Sequence, residues 1–202
     1  MAMRLIDEFS IAGDPDRAYA LLLDLERIAP CVPGGEIGAP DADGTYPGRV
    51  SVKIGPMKFV YDGKVRIAER DPAARTARIE GEGKASGGAD TAKVATLMEV
   101  IADGDRTRVR MTTELDIKGK AARMGQGVIA DVSRKLIADA SKCIEARLAD
   151  PDADVSASAA QPVGGIGLMA SVMGAKVGGS VRRLGGRGDG TDRTKGADDA
   201  TR

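Results

Sequence analysis

The chain has 202 residues, 30 basic and 30 acidic side chains, and neither histidine nor tryptophan. This length allows one domain of ordinary size with an extension. Zero net charge argues against nucleic acid as the main partner, because phosphate binding needs a basic excess. Without histidine, a general acid or base would have to be Asp, Glu, Lys, Tyr or Arg.

The first strand and helix are marked by a change of pattern near residue 14. Arg4 to Ile11 alternates as a strand does, and Asp14 and Pro15 then suit the N-cap and first position of a helix. Apolar residues at helical spacing predict that this helix runs from Pro15 to about Ile28. The Pro-Gly-rich loop Pro30 to Gly35 ends it.

Two cysteines, Cys31 and Cys143, are too few for a disulfide scaffold. Charged residues in Met1 to Ser10 stand where a secretory signal needs an apolar run. We therefore expect a cytoplasmic protein with reduced thiols, in which Cys143 is a small packing residue of a helix. The sequence does not indicate whether Cys31 is reactive.

From Ile37 the hydrophobic period changes to two. Five alternating segments joined by short turns predict an antiparallel meander. Their apolar members span 50–54, 57–67, 77–85, 94–100 and 109–117.

The inward rows of this sheet are poor in large side chains, with Gly81 and Gly83 beside few rings. Two interpretations stay open: the glycines only bend the sheet, or the small residues leave room for an apolar pocket. Tyr61 is present in these rows, but we find no carboxylate. We predict no catalytic residue and no metal site, since no metal-ligand cluster, P-loop or dinucleotide fingerprint is present.

A long helix is predicted from Lys120 to Leu148, with a broad apolar arc opposite a charged side. Its small or flexible first residues, from Ala121 to Gly125, suggest loose packing and a pocket mouth. The predicted lining of the pocket comprises Phe59, Tyr61, Ile79, Gly81, Val94, Thr96, Met98, Met111, Thr113, Met124, Gly125, Val128, Ile129 and Val132.

The order strand, helix, Pro-Gly loop, curved meander and long closing helix resembles the helix-grip fold of the START-like (SRPBCC) superfamily. Within it, the chain resembles the CoxG family of carbon monoxide dehydrogenase subunits. The motifs that carry the match are Phe9 and Ile11 ahead of Asp14-Pro15, the loop Cys31-Val32-Pro33-Gly34, the turn Gly55-Pro56-Met57, and Gly119 to Leu148 with Gly125-Gln126 near its start. The resemblance spans residues 1–149 and implies an α+β domain whose curved antiparallel sheet wraps a long C-terminal helix around an apolar cavity.

The resemblance implies a non-enzymatic accessory protein of a molybdenum carbon monoxide dehydrogenase or related hydroxylase. Such a protein would bind a lipid quinone such as menaquinone, without a covalent cofactor, and link the enzyme to the respiratory chain. It would lie in the cytoplasm, peripherally on the inner face of the cytoplasmic membrane. Two alternatives stay open: a START-like small-molecule enzyme of the cyclase or hydratase type, and a membrane-recruitment adaptor without a ligand.

Beyond residue 149 the composition predicts a linker over 150–163, a docking segment over 164–187 and a disordered tail over 188–202. The docking segment suits an amphipathic helix on an anionic membrane. Its repeated small residues suit packing on a protein partner equally well, and its glycine content also suits disorder. The predicted docking residues are Ile166, Met169, Val172, Met173, Lys176, Val177, Val181, Arg182, Arg183 and Leu184.

Overall fold

The computed structural model describes residues 1–86 and 88–150. The predicted docking segment, the disordered tail and all but the first residue of the linker lie outside the described residues and stay predictions. The described elements are β1 (Ala2–Ala12), α1 (Pro15–Leu22), α2 (Leu25–Ile28), a first 3-10 turn (Ala29–Cys31), β2 (Gly35–Ile37), β3 (Tyr46–Ile54), β4 (Met57–Asp71), β5 (Thr76–Ala85), β6 (Thr91–Asp103), β7 (Arg106–Lys118), a second 3-10 turn (Ala121–Met124) and α3 (Gln126–Ala149).

The strands β1 to β7 form one antiparallel sheet in the order β1-β7-β6-β5-β4-β3-β2. This confirms the predicted meander and adds β2, which lies where the sequence predicted only a loop. The chain turns into β2 at Gly34, whose φ is +75°. A side chain there would place its Cβ 2.3 Å from the carbonyl oxygen of Ser51, so this approach to β3 requires glycine.

The start of α1 confirms the predicted cap. The Asp14 carboxylate accepts hydrogen bonds from the backbone N–H groups of Asp16 and Arg17, both at 3.0 Å, and Pro15 takes the first helical position. The single helix predicted as far as Ile28 is wrong, because Asp24 caps a new helix, α2, by accepting from the N–H of Arg27 at 3.1 Å.

The long C-terminal helix is also interrupted, contrary to the prediction of one helix from Lys120. Residues 121–124 form the second 3-10 turn, and Gly125 then adopts a φ of +87°, which lies outside the helical region. α3 begins only at Gln126. Gly125 therefore separates a short turn that packs on β7 from the helix proper.

The main hydrophobic core lies where α1 and the C-terminal half of α3 meet the sheet. Among the strands, α3 packs chiefly on β1, whereas α1 packs on β6 and β7. Ile11, Val109 and Met98 are at most 2 % exposed and form the floor of this core. Burying each of these side chains stabilises the fold by roughly 1.5–3 kcal/mol.

The two cysteines are joined, so the expectation of reduced thiols and of an unpaired Cys143 is wrong. The structure pairs Cys31 with Cys143 as a disulfide, with their Cα atoms 5.3 Å apart. The fold brings them together because the first 3-10 turn packs against α3, a juxtaposition across 112 residues of sequence that spacing alone does not reveal. Both residues are 3 % exposed.

Candidate functional site

The inner face of the sheet, which faces α3, contains a row of residues with little or no side chain. Register places Gly48, Gly63, Gly83 and Ala92 opposite one another across β3, β4, β5 and β6. Side chains alternate between the two faces of a strand, so all four belong to the same face. The row leaves the middle of the inner face without bulk.

Gly63 shows that this row cannot be filled by ordinary residues. A Cβ at Gly63 would lie 1.9 Å from the carbonyl oxygen of Glu82 and 2.6 Å from the Cα of Gly83. The strands approach too closely for a side chain, which is what glycine inside a strand commonly marks. The glycines therefore bend the sheet and also leave space, so the two interpretations of the sequence are compatible.

An open cavity of about 380 Å³ lies over this row, bounded by β2 to β6 and by the segment around the first 3-10 turn. Its volume falls within the range of small-molecule sites, roughly 300–1,000 Å³. The inward-facing lining is almost wholly apolar. It is formed by Ala29, Val32, Gly35, Ile37, Gly48, Val50, Tyr61, Gly63, Val65, Gly81, Gly83, Ala92 and Val94.

Tyr61 supplies the one side-chain hydroxyl of this lining. The residue is 9 % exposed, and its Oη is buried without a hydrogen-bond partner among the described residues. Burial raises the pKa of the Tyr61 phenol above its usual range, and the negative charge of Asp90 raises the pKa further. The phenol therefore stays protonated near neutral pH and keeps a hydrogen-bond donor that no described residue uses.

Asp90 is a buried carboxylate beside the site. Its hydrogen bonds are made to the protein backbone. Its Oδ2 accepts from the backbone N–H groups of Lys120 at 2.9 Å and Ala121 at 3.4 Å. Gly119 packs so closely that a Cβ there would fall 2.0 Å from Asp90 Oδ1. Asp90 thus fixes the second 3-10 turn against the sheet.

Only some of the predicted pocket residues line the cavity, and others lie in the hydrophobic clusters. The cavity contains Tyr61, Gly81 and Val94. The main core takes Met98, with Ile79 and Met111 packed against it. Phe59 and Ile129 belong to a second apolar cluster that also includes Tyr61.

The remaining predicted residues lie at hydrogen-bonded or more exposed positions. Thr96 and Thr113 share a hydrogen bond of 3.0 Å between their hydroxyls. Met124 and Val132 are half-buried, whereas Gly125 and Val128 are exposed. Sequence reasoning missed the lining from β2 and β3, because it read β2 as a loop and attached no weight to the glycine of β3.

The inner face also holds a carboxylate, contrary to the prediction from the sequence. Asp7 lies on β1 between inward-facing residues, is 8 % exposed and accepts a hydrogen bond of 2.7 Å from the hydroxyl of Ser133 on α3. The alternation around Leu5 and Phe9 already placed Asp7 in that row, so the signal was present. This bond ties α3 to β1 and does not reach the cavity lining.

A larger depression, about 950 Å³, lies among charged side chains on the outer face of the sheet. Its charges are largely paired with one another, as Lys64 is with Glu82 and Arg66 is with Glu80. Such exposed pairs contribute little energy and offer few free groups to a ligand. The inner cavity, with its apolar lining and unpaired hydroxyl, is the stronger candidate site.

Among the described residues, no helix is long and apolar enough to cross a membrane. Within the same ranges, no three His, Cys, Asp or Glu side chains form a group that could hold a metal ion.

The fold is the predicted helix-grip architecture, a curved antiparallel sheet with a long C-terminal helix, and solved structures share it. The sequence also matches one particular protein family. The family model for the carbon monoxide dehydrogenase subunit CoxG matches residues 8–149, and the chain belongs to this family. Membership associates the chain with carbon monoxide dehydrogenase. No curated protein matches the chain.

Solved structures agree on the fold. A conserved protein from Geobacillus kaustophilus is 18 % identical with a TM-score of 0.64, covering 73 % of this chain and 95 % of its own. The protein TTHA0849 from Thermus thermophilus is 17 % identical with a TM-score of 0.53, covering 71 % and 98 %. The Zhui aromatase/cyclase from Streptomyces sp. R1128 is 14 % identical with a TM-score of 0.52, covering 74 % and 94 %. At these identities the likeness establishes the fold alone.

Proposed function

We propose that the chain is a non-enzymatic carrier of a lipid quinone, of the menaquinone type, that serves a molybdenum carbon monoxide dehydrogenase at the cytoplasmic membrane. The observation that carries the proposal is the buried, unpartnered hydroxyl of Tyr61, a residue of a cavity whose inward-facing lining is otherwise apolar. Family membership supports carbon monoxide dehydrogenase as the partner enzyme, and the chemistry of the cavity supports a quinone as the ligand.

The Tyr61 hydroxyl favours a ligand with a carbonyl oxygen. A buried polar group without a partner costs about 1–3 kcal/mol, and this cost is recovered when a ligand supplies the missing hydrogen bond. A protonated phenol donates, so the complementary ligand atom is an acceptor. A quinone offers a carbonyl acceptor on a flat apolar ring, which matches one donor in an apolar cavity.

The dimensions of the cavity suit the ring and the beginning of an isoprenoid tail, since about 380 Å³ is small for a whole lipid. The remainder of the tail would lie along the uncovered inner face of the sheet. Each methylene removed from water contributes roughly 0.8 kcal/mol. A protein that covers part of the tail therefore lowers the cost of moving it out of a bilayer.

The surroundings of Tyr61 support carriage over acid–base catalysis. The nearby carboxylate, Asp90, is occupied by two backbone N–H groups, and the inward carboxylate, Asp7, is occupied by Ser133. The phenol itself is held protonated, so it is a poor base near neutral pH. Among the described residues whose side chains face inward, the arrangement offers a ligand one donor and no unoccupied carboxylate.

The test is the affinity of the full chain for a short-tailed menaquinone, measured by titration calorimetry. Tyr61→Phe removes the hydroxyl and keeps the ring. We expect the affinity to fall about tenfold, because one buried hydrogen bond contributes about 1–1.5 kcal/mol. Tyr19→Phe is the matched control, because the Tyr19 hydroxyl already donates to the carbonyl of Thr76 at 2.9 Å. Equal affinity in the Tyr61 and Tyr19 variants would refute the role of Tyr61.

A further inference from the structure

One end of the folded domain carries a concentration of basic side chains. Lys53 and Lys58 flank the turn between β3 and β4, and Lys118, Lys120 and Arg123 follow one another from the end of β7 through the second 3-10 turn. All five are exposed. We call these five residues the basic rim.

The basic rim is not neutralised within the fold. Residues 53–58 and 117–130, which contain it, include no acidic residue, and none of its five side chains forms an ion pair with another residue of the described ranges. Lys53 and Lys58 are also direct cross-strand partners. Like charges opposite one another destabilise a hairpin. The repulsion between Lys53 and Lys58 therefore lowers the stability of the domain when no anionic partner is bound.

Apolar side chains are exposed beside these charges. Met57, at the turn between Lys53 and Lys58, is 40 % exposed, and Val128, in the first turn of α3, is 38 % exposed. The two segments belong together, because Ile54 of the hairpin and Ala122 of the second 3-10 turn pack on the same apolar cluster. Basic residues around exposed apolar ones are the pattern of a membrane-surface contact.

We infer that the basic rim, with Met57 and Val128, docks the folded domain on an anionic lipid bilayer. The cations would lie among lipid phosphates while the two apolar side chains enter the headgroup boundary. The apolar cluster behind the rim shares Tyr61 and Val50 with the cavity lining. Docking by this face would therefore bring the part of the cavity lined by Tyr61 and Val50 close to the membrane.

The inference rests on the membrane association in the proposed function and assigns it to the folded domain instead of to residues 164–187 alone. It does not depend on the identity of the cargo. Vesicle binding and quinone affinity are separate measurements, so failure of one is distinguishable from failure of the other.

The first experiment places a single fluorophore on the rim of the full chain. The protein has no tryptophan, so Met57→Trp introduces the only one. With vesicles of phosphatidylcholine and phosphatidylglycerol we expect a blue-shifted emission and quenching by brominated lipid, and neither change with phosphatidylcholine alone. Leu97→Trp, on the outer face of the sheet and 42 % exposed in the native residue, is the control that stays unchanged.

The second experiment separates charge from folding. Lys58→Glu places an acid opposite Lys53, so it should raise the thermal stability of the hairpin while weakening binding to anionic vesicles by more than about fivefold, the effect of one basic residue. The pair Lys53→Glu with Lys58→Glu should weaken binding further. Lys135→Glu with Lys142→Glu, on exposed positions of α3, gives the same change in net charge and should leave binding near that of the wild type.

Two results would overturn the inference. One is a tryptophan at position 57 that is neither shifted nor quenched on anionic vesicles that the full chain binds. The other is vesicle binding by the Lys53/Lys58 variant equal to that of the Lys135/Lys142 control. Either result would mean that the rim is not a lipid contact and that a different partner, such as an acidic protein surface, neutralises it.

Discussion

The inner face of the sheet has two halves that differ in what covers them. Over β1, β7 and the neighbouring part of β6, the helices α1 and α3 bury Ile11, Val109 and Met98 almost completely. Over β2, β3 and the parts of β4 and β5 around Gly63 and Gly83, the row of Gly48, Gly63 and Gly83 lies beneath an open cavity. The comparison shows that one continuous sheet can support a solid core over one half and an open cavity over the other.

The difference follows from which residues the register brings together. In the covered half, methionine and valine of adjacent strands stand opposite one another, as in the pairs Met98–Met111 and Val100–Val109. In the open half, glycine stands opposite glycine. The first arrangement gives the helices a surface on which to pack, whereas the second gives them nothing to contact.

The covered half should be the more sensitive to loss of volume. Ile11→Ala removes a completely buried side chain from the main core, and we expect the free energy of unfolding to fall by about 2–5 kcal/mol. Ile37→Ala, in the cavity lining, is the matched change in the open half and should cost less, because Ile37 is only half-buried at the open cavity. Chemical denaturation of both variants tests this, and equal losses would contradict a division into two halves.

The disulfide lies in the main core, which includes both Cys31 and Cys143, and it ties α3 to the segment that also supplies the cavity-lining residues Ala29 and Val32. Replacing both cysteines with alanine should lower the free energy of unfolding by about 2–4 kcal/mol. Thiol titration of denatured, unreduced protein should detect no free thiol. Two free thiols per chain would show that the pair is reduced, as the sequence analysis expected.

Filling the open half should weaken ligand binding with little change in folding. Ala92→Leu adds three carbon atoms to the floor of the cavity, and we expect affinity for a short-tailed menaquinone to fall by at least about tenfold, since overlap with the ligand must be relieved. Ala95→Leu, on the same strand but on the opposite face, provides the control. Calorimetric titration of both variants decides the point, and unchanged binding by Ala92→Leu would place the ligand elsewhere.

The smallest expected effect concerns two tyrosine hydroxyls. Tyr19→Phe removes a hydroxyl that donates to the carbonyl of Thr76, so the unliganded domain should lose about 1 kcal/mol of stability. Tyr61→Phe removes a hydroxyl without a partner, so the unliganded domain should be unchanged or slightly more stable. Thermal unfolding of the two variants measures the contrast, and a larger loss in Tyr61→Phe would indicate that its hydroxyl is bonded in the absence of ligand.

Much of the fold was accessible from the sequence, because alternation, turn residues and the Asp14-Pro15 cap act locally. What was missed depends on contacts between distant segments. The disulfide requires the first 3-10 turn to meet α3, and β2 exists because Ser51 donates from its N–H to the carbonyl of Gly34 across the strands. The predicted helix runs through Gly125 because a pattern of apolar residues does not reveal the positive φ of that glycine.

The candidate site was harder to predict than the fold. Alternation correctly assigned Met98 and Thr113 to the inner face, but facing inward does not decide whether a residue lines a cavity or fills a core. That depends on where α1 and α3 lie. Only the register revealed that Gly48, Gly63 and Gly83 form one row, so the cavity lies closer to β2 and β3 than the sequence suggested.

The most direct test of the account is to ask what the purified full chain carries. After expression in a host that makes menaquinone, native mass spectrometry and organic extraction should show one prenylated quinone per chain in the wild type and much less in Ala92→Leu. A protein that holds no lipid, and that takes up none when incubated with quinone-containing vesicles, would contradict the claim that the open half of the sheet is a container for a lipid quinone.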